Sequence, residues 1–309
     1  MKQIPSLNAL KLIAALAVVL MHARVPMLSA VTLPLCKLAV PLFLMISGYC
    51  LMDDAGQLRR ESIGRAIPRI ARITVWANLL YIMFHVLVGC FTGDPWRPLL
   101  RLIDSHFWTD LVCFGGTVSG HLWYLVAYLQ VLLFFWLFTL RRVPRWVYWC
   151  IPLGLLLNLV VGNYGFLLDL HTRYQTSRNF FTIALPCVAL GMWMHEHRAK
   201  LMTDGERSLE AKSGHRLVSH LAITYDRRWS LLMAVALLYL ESFLYKKYCP
   251  EHTADVWLMT IPAAAVLLQS CIAHPEWGSG RLADWGKRWS LPIYIYHMML
   301  LEVLAILLS

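Results

Sequence analysis

Lys11 and His22 stand eleven residues apart inside SLNALKLIAALAVVLMHAR (6–24), the first long apolar run of the chain. A run of this length suffices to cross a bilayer, which takes roughly 20 residues as a helix. At about 100° per residue, that spacing overshoots three turns by only about 20°, so both side chains share one helix face, about 16 Å apart along the axis. A lysine inside a membrane span is costly enough to point to function. Histidine is the side chain suited to moving a proton near neutral pH. The plainer alternative has Lys11 snorkelling to the near interface and His22 ending the far side of the span.

A second constellation is basic. Arg65, Arg69 and Arg72 follow at i, i+4 and i+7, and a helix there lines them along one face. Pro68 makes the first step of that helix uncertain. Guanidinium forks suit bidentate contacts to phosphate, whereas an arginine cluster at an inner interface also serves anionic lipid. His121 and Trp123, in GHLWYLVAYL, open a later apolar run at headgroup level, where tryptophan is common in any case. His195-Glu196-His197 resembles a metal pair only loosely, and a solvated turn explains it as well. Glu241 and Glu302 are the acids inside apolar runs, so each is expected to face protein or water, or to couple protons in a transporter. The chain has no GxSxG, HExxH, paired CxxC or phosphate-loop motif. No metal site is expected.

The elements that must position these residues are membrane helices. Apolar residues make up 59% of the 309 and charged residues 15%, which is the balance of a polytopic membrane protein. Nine spans are expected, near 7–27, 33–52, 73–91, 121–140, 146–162, 179–195, 229–245, 256–273 and 289–308. The first reads as a retained helix, not a cleaved leader, since Leu28 fits poorly before a cut after Ala30. The fold class is therefore all-α: one membrane-embedded helical bundle over residues 1–309. Placing the N-terminus in the cytoplasm puts 20 of the 28 lysines and arginines on the inner side. This bias accounts for the net charge of +10 without nucleic acid. The eight cysteines lie mostly in apolar runs and read as small core residues. Between the third and fourth spans, WRPLLRLIDSHF (96–107) reads as one short interfacial helix or a lid over a substrate or partner.

Five stretches, in order along the whole chain, resemble the integral-membrane acyltransferase three family of bacterial carbohydrate O-acetyltransferases. These are Lys11 and His22 with ten residues between them, in place of that family's usual arginine and histidine; VPLFLMISGY (40–49); Arg69-Ile70-Ala71-Arg72; His121-Leu122-Trp123-Tyr124-Leu125; and SLPIYIYH (290–297). The resemblance implies transfer of an acyl group, most often acetyl, from a cytosolic coenzyme A thioester to a sugar hydroxyl presented at the outer side of a bacterial inner membrane. It implies His22 as the group that takes the hydroxyl proton or carries the acyl group. Arg69 and Arg72 would hold the donor's phosphates, with Lys11 supporting the donor or its oxyanion. His121, Trp123 and Tyr124 would meet the sugar, and Tyr49 could add aromatic surface. Acetyl-CoA enters as cosubstrate, with no tightly bound cofactor.

The partners expected are a carbohydrate or lipid-linked sugar acceptor and membrane lipid. The family pattern has ten spans, the last following the IYxxH helix, so a groove beside Glu302 is expected, which homodimerisation would cover. A secondary transporter or flippase for a lipid-linked sugar or small solute, or an inactive truncated family member, is the alternative reading.

Overall fold

A computed structural model describes residues 4–23, 26–114, 118–138, 142–168, 170, 177–198, 227–249 and 256–308. The mixed-charge stretch 199–226 lies outside them. The protein is an all-α polytopic membrane bundle. Seven helices are long and apolar enough to cross a membrane, and Phe180–Glu196 and Thr260–Ala273 are shorter apolar helices. Together these match the nine expected spans in order.

Helix α1, Pro5–Ala23, begins on a proline, which is preorganised for a first turn, and carries Lys11 and His22 on unbroken helix. Its alanines Ala9, Ala14 and Ala15 are buried, which lets neighbouring helices approach closely. Helices α2 (Pro26–Cys36) and α3 (Ala39–Cys50) form the second span with a break between them. Helix α4, Arg60–Thr92, runs for 33 residues straight through Pro68. The arginine segment is thus the first part of a spanning helix, a more regular arrangement than the proline suggests.

The outer segment forms two short helices, α5 (Arg97–Ile103) and α6 (Ser105–Phe114), where one was expected. Asp104 divides them: its Oδ1 accepts from the His106 amide at 2.9 Å, so it starts the second helix while ending the first. After a short 3₁₀ turn at Gly120–Leu122 comes α7, Trp123–Phe138. Helix α8, Arg145–Leu157, loosens into a π-helical turn at Asn158–Asn163. A second π-turn, Phe180–Ala184, leads into α9, Leu185–Glu196. Helices α10 (Arg227–Tyr248), α11 (Thr260–Ala273) and α12 (Arg281–Leu308) complete the described bundle.

Two glycine contacts fix how the layers meet. A Cβ on Gly48 would stand 2.0 Å from the Val188 carbonyl oxygen, and one on Gly191 would stand 2.0 Å from that of Met45. Helices α3 and α9 therefore touch backbone to backbone, reciprocally, which gives the glycine of the ISGY stretch a packing reason. Helix α1 lies along α12 in the most extensive helix pairing of the molecule. There a Cβ on Gly286 would stand 1.8 Å from the Asn8 carbonyl oxygen.

Contacts at the ends of the described helices agree with an alternating up–down order. The start of α1 meets the end of α11, where Ser6 donates to the Cys271 carbonyl at 2.7 Å. The residues after α3 and α9 meet through Arg198 and Asp54, 3.5 Å apart. Both junctions fall on the side that holds the basic segments.

Candidate active site

At the other ends of α1 and α12 three histidines come together. The ring of His22, late on α1, lies 5.2 Å from that of His297 on α12, and His297 lies 4.9 Å from His121 at the start of α7. The centre is built from segments far apart in sequence, and each ring is held by its own contact. The His297 Nδ1 donates to the Tyr294 carbonyl at 2.7 Å. The Ser119 hydroxyl lies 3.0 Å from His121 Nδ1. The Tyr294 hydroxyl donates to the His121 carbonyl, which ties the first turn of α7 to α12.

Helix α4 closes the side of this cluster. Tyr81, fully buried, donates to the Ile295 carbonyl at 2.8 Å, and its ring stands 4.9 Å from that of His121. One turn on, His85 lies 5.9 Å from Tyr81. Asn78, one turn before Tyr81, accepts from the Val118 amide at 3.2 Å and so steadies the approach to Ser119 and His121. Ala14, Val18, Ala77, Leu122 and Ile295 pack around the cluster as an apolar shell.

His121 and His297 are 7% and 3% exposed, and the Nε2 atom of each is buried without a hydrogen-bond partner among the described residues. His22 is half-buried. Buried polar atoms without partners are uncommon and call for a functional reason. Among the described residues, no group of three or more His, Cys, Asp or Glu side chains is placed to hold a metal ion.

The other expected site residues divide between this cluster and the far end of the bundle. Tyr124 lies beside the cluster, its ring 5.5 Å from Tyr294 and stacked at 6.0 Å on Tyr128. Trp123 is half-buried at the start of α7, packed against the main core. Lys11 is half-buried and makes no hydrogen bond or ion pair among the described residues. Arg69 and Arg72 are exposed on the first half of α4, and Arg72 Nε donates to the Pro68 carbonyl at 3.3 Å. Counted along α4, this pair stands about 14 to 18 Å from Tyr81, close to the separation of Lys11 from His22.

Two expectations change, and one that was left open is resolved. Tyr49 is buried against His195, ring to ring at 4.7 Å, at the end of the bundle where Arg198 meets Asp54 and not at the histidine cluster. His195 is fully buried and not in a solvated turn: Arg198 Nη1 lies 2.8 Å from its Nδ1. Glu241 is a helix cap. Its carboxylate accepts from the Leu258 and Met259 amides at 2.6 and 2.8 Å, and from the Tyr164 hydroxyl. It thus satisfies amides at the start of α11. Burial, then the Glu241 carboxylate, push the Tyr164 phenol up, which keeps it a donor. Tyr81, Asn78 and His85 had no signal in the sequence as site neighbours. His297 had one, its place in the IYxxH stretch.

A family model described as an acyltransferase domain matches residues 4–309, and the chain belongs to that family, acyltransferase three, of membrane acyltransferases acting on carbohydrates. The protein is thus an integral membrane acyltransferase. No curated protein and no solved structure matches the chain.

Proposed function

We propose that the protein transfers an acetyl group from cytosolic acetyl-CoA to a hydroxyl of a cell-envelope carbohydrate, free or lipid-linked. The observation that carries this reading is the meeting of His22, His121 and His297 about 16 Å along α1 from Lys11. An unactivated sugar hydroxyl needs a base that is free near neutral pH, and histidine supplies one. His22 takes the hydroxyl proton or carries the acyl group between donor and acceptor. Arg69 and Arg72 hold the phosphates of the coenzyme at the inner face, and Lys11 supports the donor between the two ends. A donor with its phosphates far from its thioester suits a protein whose basic row and histidines are separated in this way. His121, Trp123 and Tyr124 meet the sugar.

The N-terminus lies in the cytoplasm of a bacterial inner membrane in this reading, because the basic segments favour that side. The transporter reading loses one support: Glu241, with its oxygens committed to two amides and a phenol, is poorly placed to exchange protons. The test gives the purified protein in liposomes labelled acetyl-CoA and a panel of envelope glycans. Label on a glycan hydroxyl is the expected result. Uptake of a glycan without transfer would instead establish a transporter.

A further inference from the structure

The tautomer of one ring follows from its contact, and that of a second turns on the direction of one hydrogen bond. The Tyr294 carbonyl can only accept, so His297 Nδ1 carries a proton, and in the neutral ring Nε2 carries the lone pair. The Ser119 hydroxyl, 3.0 Å from His121 Nδ1, can donate or accept there; where it donates, the proton of that ring sits on Nε2. A bare nitrogen is thus left without a hydrogen-bond partner among the described residues on His297. Beside it, on a buried ring 4.9 Å away, is an Nε2–H on His121 with no partner at normal geometry, although the Ile295 carbonyl, already bound by Tyr81, lies close to that ring. A hydroxyl is the small group that satisfies both, since it donates once and accepts twice.

We infer that His297 and His121 together hold the reacting hydroxyl of the acceptor: its O–H donates to His297 Nε2, and its oxygen accepts from His121 Nε2–H. This inference rests on the hydroxyl acetylation proposed above and refines the part of His22 in it: His22 receives the hydroxyl proton through His297 and not directly from the hydroxyl. The hydroxyl oxygen bonds to the thioester carbon as the carbon–sulfur bond breaks. Its proton passes to His297 Nε2 and from there to the adjacent His22, ring centroids 5.2 Å apart, which delivers it to the departing sulfur and so leaves both rings neutral. His297 is then a catalytic residue in its own right, and His121 sets where the hydroxyl sits. A core histidine whose Nδ1 merely binds the Tyr294 carbonyl within α12 would need neither Nε2 left bare nor a second orphaned nitrogen beside it.

Two measurements on the full chain in liposomes test this. Nitrogen-15 histidine NMR reads the tautomers directly, with the missing signals of His297→Gln and His121→Asn assigning the rings. The expected result is His297 protonated at Nδ1 and His121 at Nε2; the opposite tautomer at either ring overturns the inference whatever the activity. Kinetics with acetyl-CoA and the glycan acceptor form the second arm. Glutamine at 297 keeps an acceptor oxygen but cannot take the proton. His297→Gln should therefore lose about 100-fold or more in kcat, with KM for both substrates nearly unchanged. His121→Asn should instead raise the acceptor KM about tenfold, the loss of one hydrogen bond. If His297→Gln fails to insert, the His121 variant and Ser119→Ala, which removes the donor that sets the His121 tautomer, carry the test. Ser119→Ala should raise the acceptor KM alone, and an unchanged KM in both of those variants overturns the inference. A transferring enzyme whose His297→Gln variant turns over normally overturns this inference alone. A wild-type protein that moves no acetyl group to any hydroxyl overturns the acetyltransfer reading and this one with it.

Discussion

The two ends of the bundle are built on opposite plans. The histidine end gathers side chains from α1, α4, α7 and α12, buries them in an apolar shell and fixes them through Ser119, Tyr81 and Tyr294. The arginine end sets Arg65, Arg69 and Arg72 along one face of a single helix, exposed and held by little except the Arg72 contact with Pro68. A group that moves protons gains from rigid placement, because a misplacement of about 1 Å can cost roughly 100-fold in rate. A group that captures a large, charged, mobile donor gains from reach and from electrostatic attraction. The contrast therefore assigns chemistry to one end and capture to the other.

The largest effect is expected at the buried end. His22→Ala should lower transfer by about two orders of magnitude or more, the usual contribution of a positioned acid–base group. Insertion should survive, since alanine suits a spanning helix. Transfer close to wild type from a well-inserted His22→Ala protein would remove His22 from the chemistry and leave the contrast without its centre.

At the arginine end the expected change is in affinity. Replacing Arg69 and Arg72 together with glutamine should weaken donor binding by roughly ten- to a hundred-fold, since each charge-assisted hydrogen bond to phosphate supplies about 1.5–3 kcal/mol. Acceptor KM should hold. Lys287 and Arg288, exposed near the start of α12, provide a control with the same change of charge. Calorimetry with coenzyme A showing equal weakening for the two pairs would mean that general surface charge, and no specific site, attracts the donor.

How much of this contrast was legible depended on whether an arrangement is local. The shared face of Lys11 and His22 and the arginine row follow from helical period, and both lie on unbroken helices. The nine apolar helices were legible because burial in lipid demands long apolar runs whatever the packing. The histidine cluster was not. His22, His121 and His297 meet through the pairing of α1 with α12 and the placement of α7, and no spacing within one helix encodes that. Tyr81 and Asn78 were hidden for the same reason. Glu241 was legible only as an acid that must face protein or water or couple protons; which of these it does is decided by partners 17 and 18 residues away in sequence, the amides before α11.

Glu241 offers a test outside both ends. Glu241→Ala leaves the Leu258 and Met259 amides and the Tyr164 hydroxyl without their acceptor. A fully buried group left unpaired costs about 1–3 kcal/mol; with Leu258 exposed and Met259 and Tyr164 half-buried, the cost is smaller for each, and thermal stability in detergent should fall modestly. Transfer per folded molecule should stay near wild type. Loss of transfer at full stability would return Glu241 to a role in function.

The smallest effect is expected where the two plans meet, at Lys11. It shares a helix face with His22 but lies about 16 Å towards the arginine side, half-buried and unpaired among the described residues. If Lys11 acts on the donor as a point charge, arginine should replace it with little change, and the added fork should matter only where a planar partner receives it. Lys11→Arg should therefore shift the donor KM by less than about threefold, within the range of one weak interaction. Lys11→Met, which keeps the length and removes the charge, should raise the donor KM by about tenfold, as expected when one charge-assisted hydrogen bond is removed, with the acceptor KM unchanged. Equal, near-wild-type KM values in both variants would show that Lys11 only snorkels to the interface. In that case the capture end stops at the arginine row of α4.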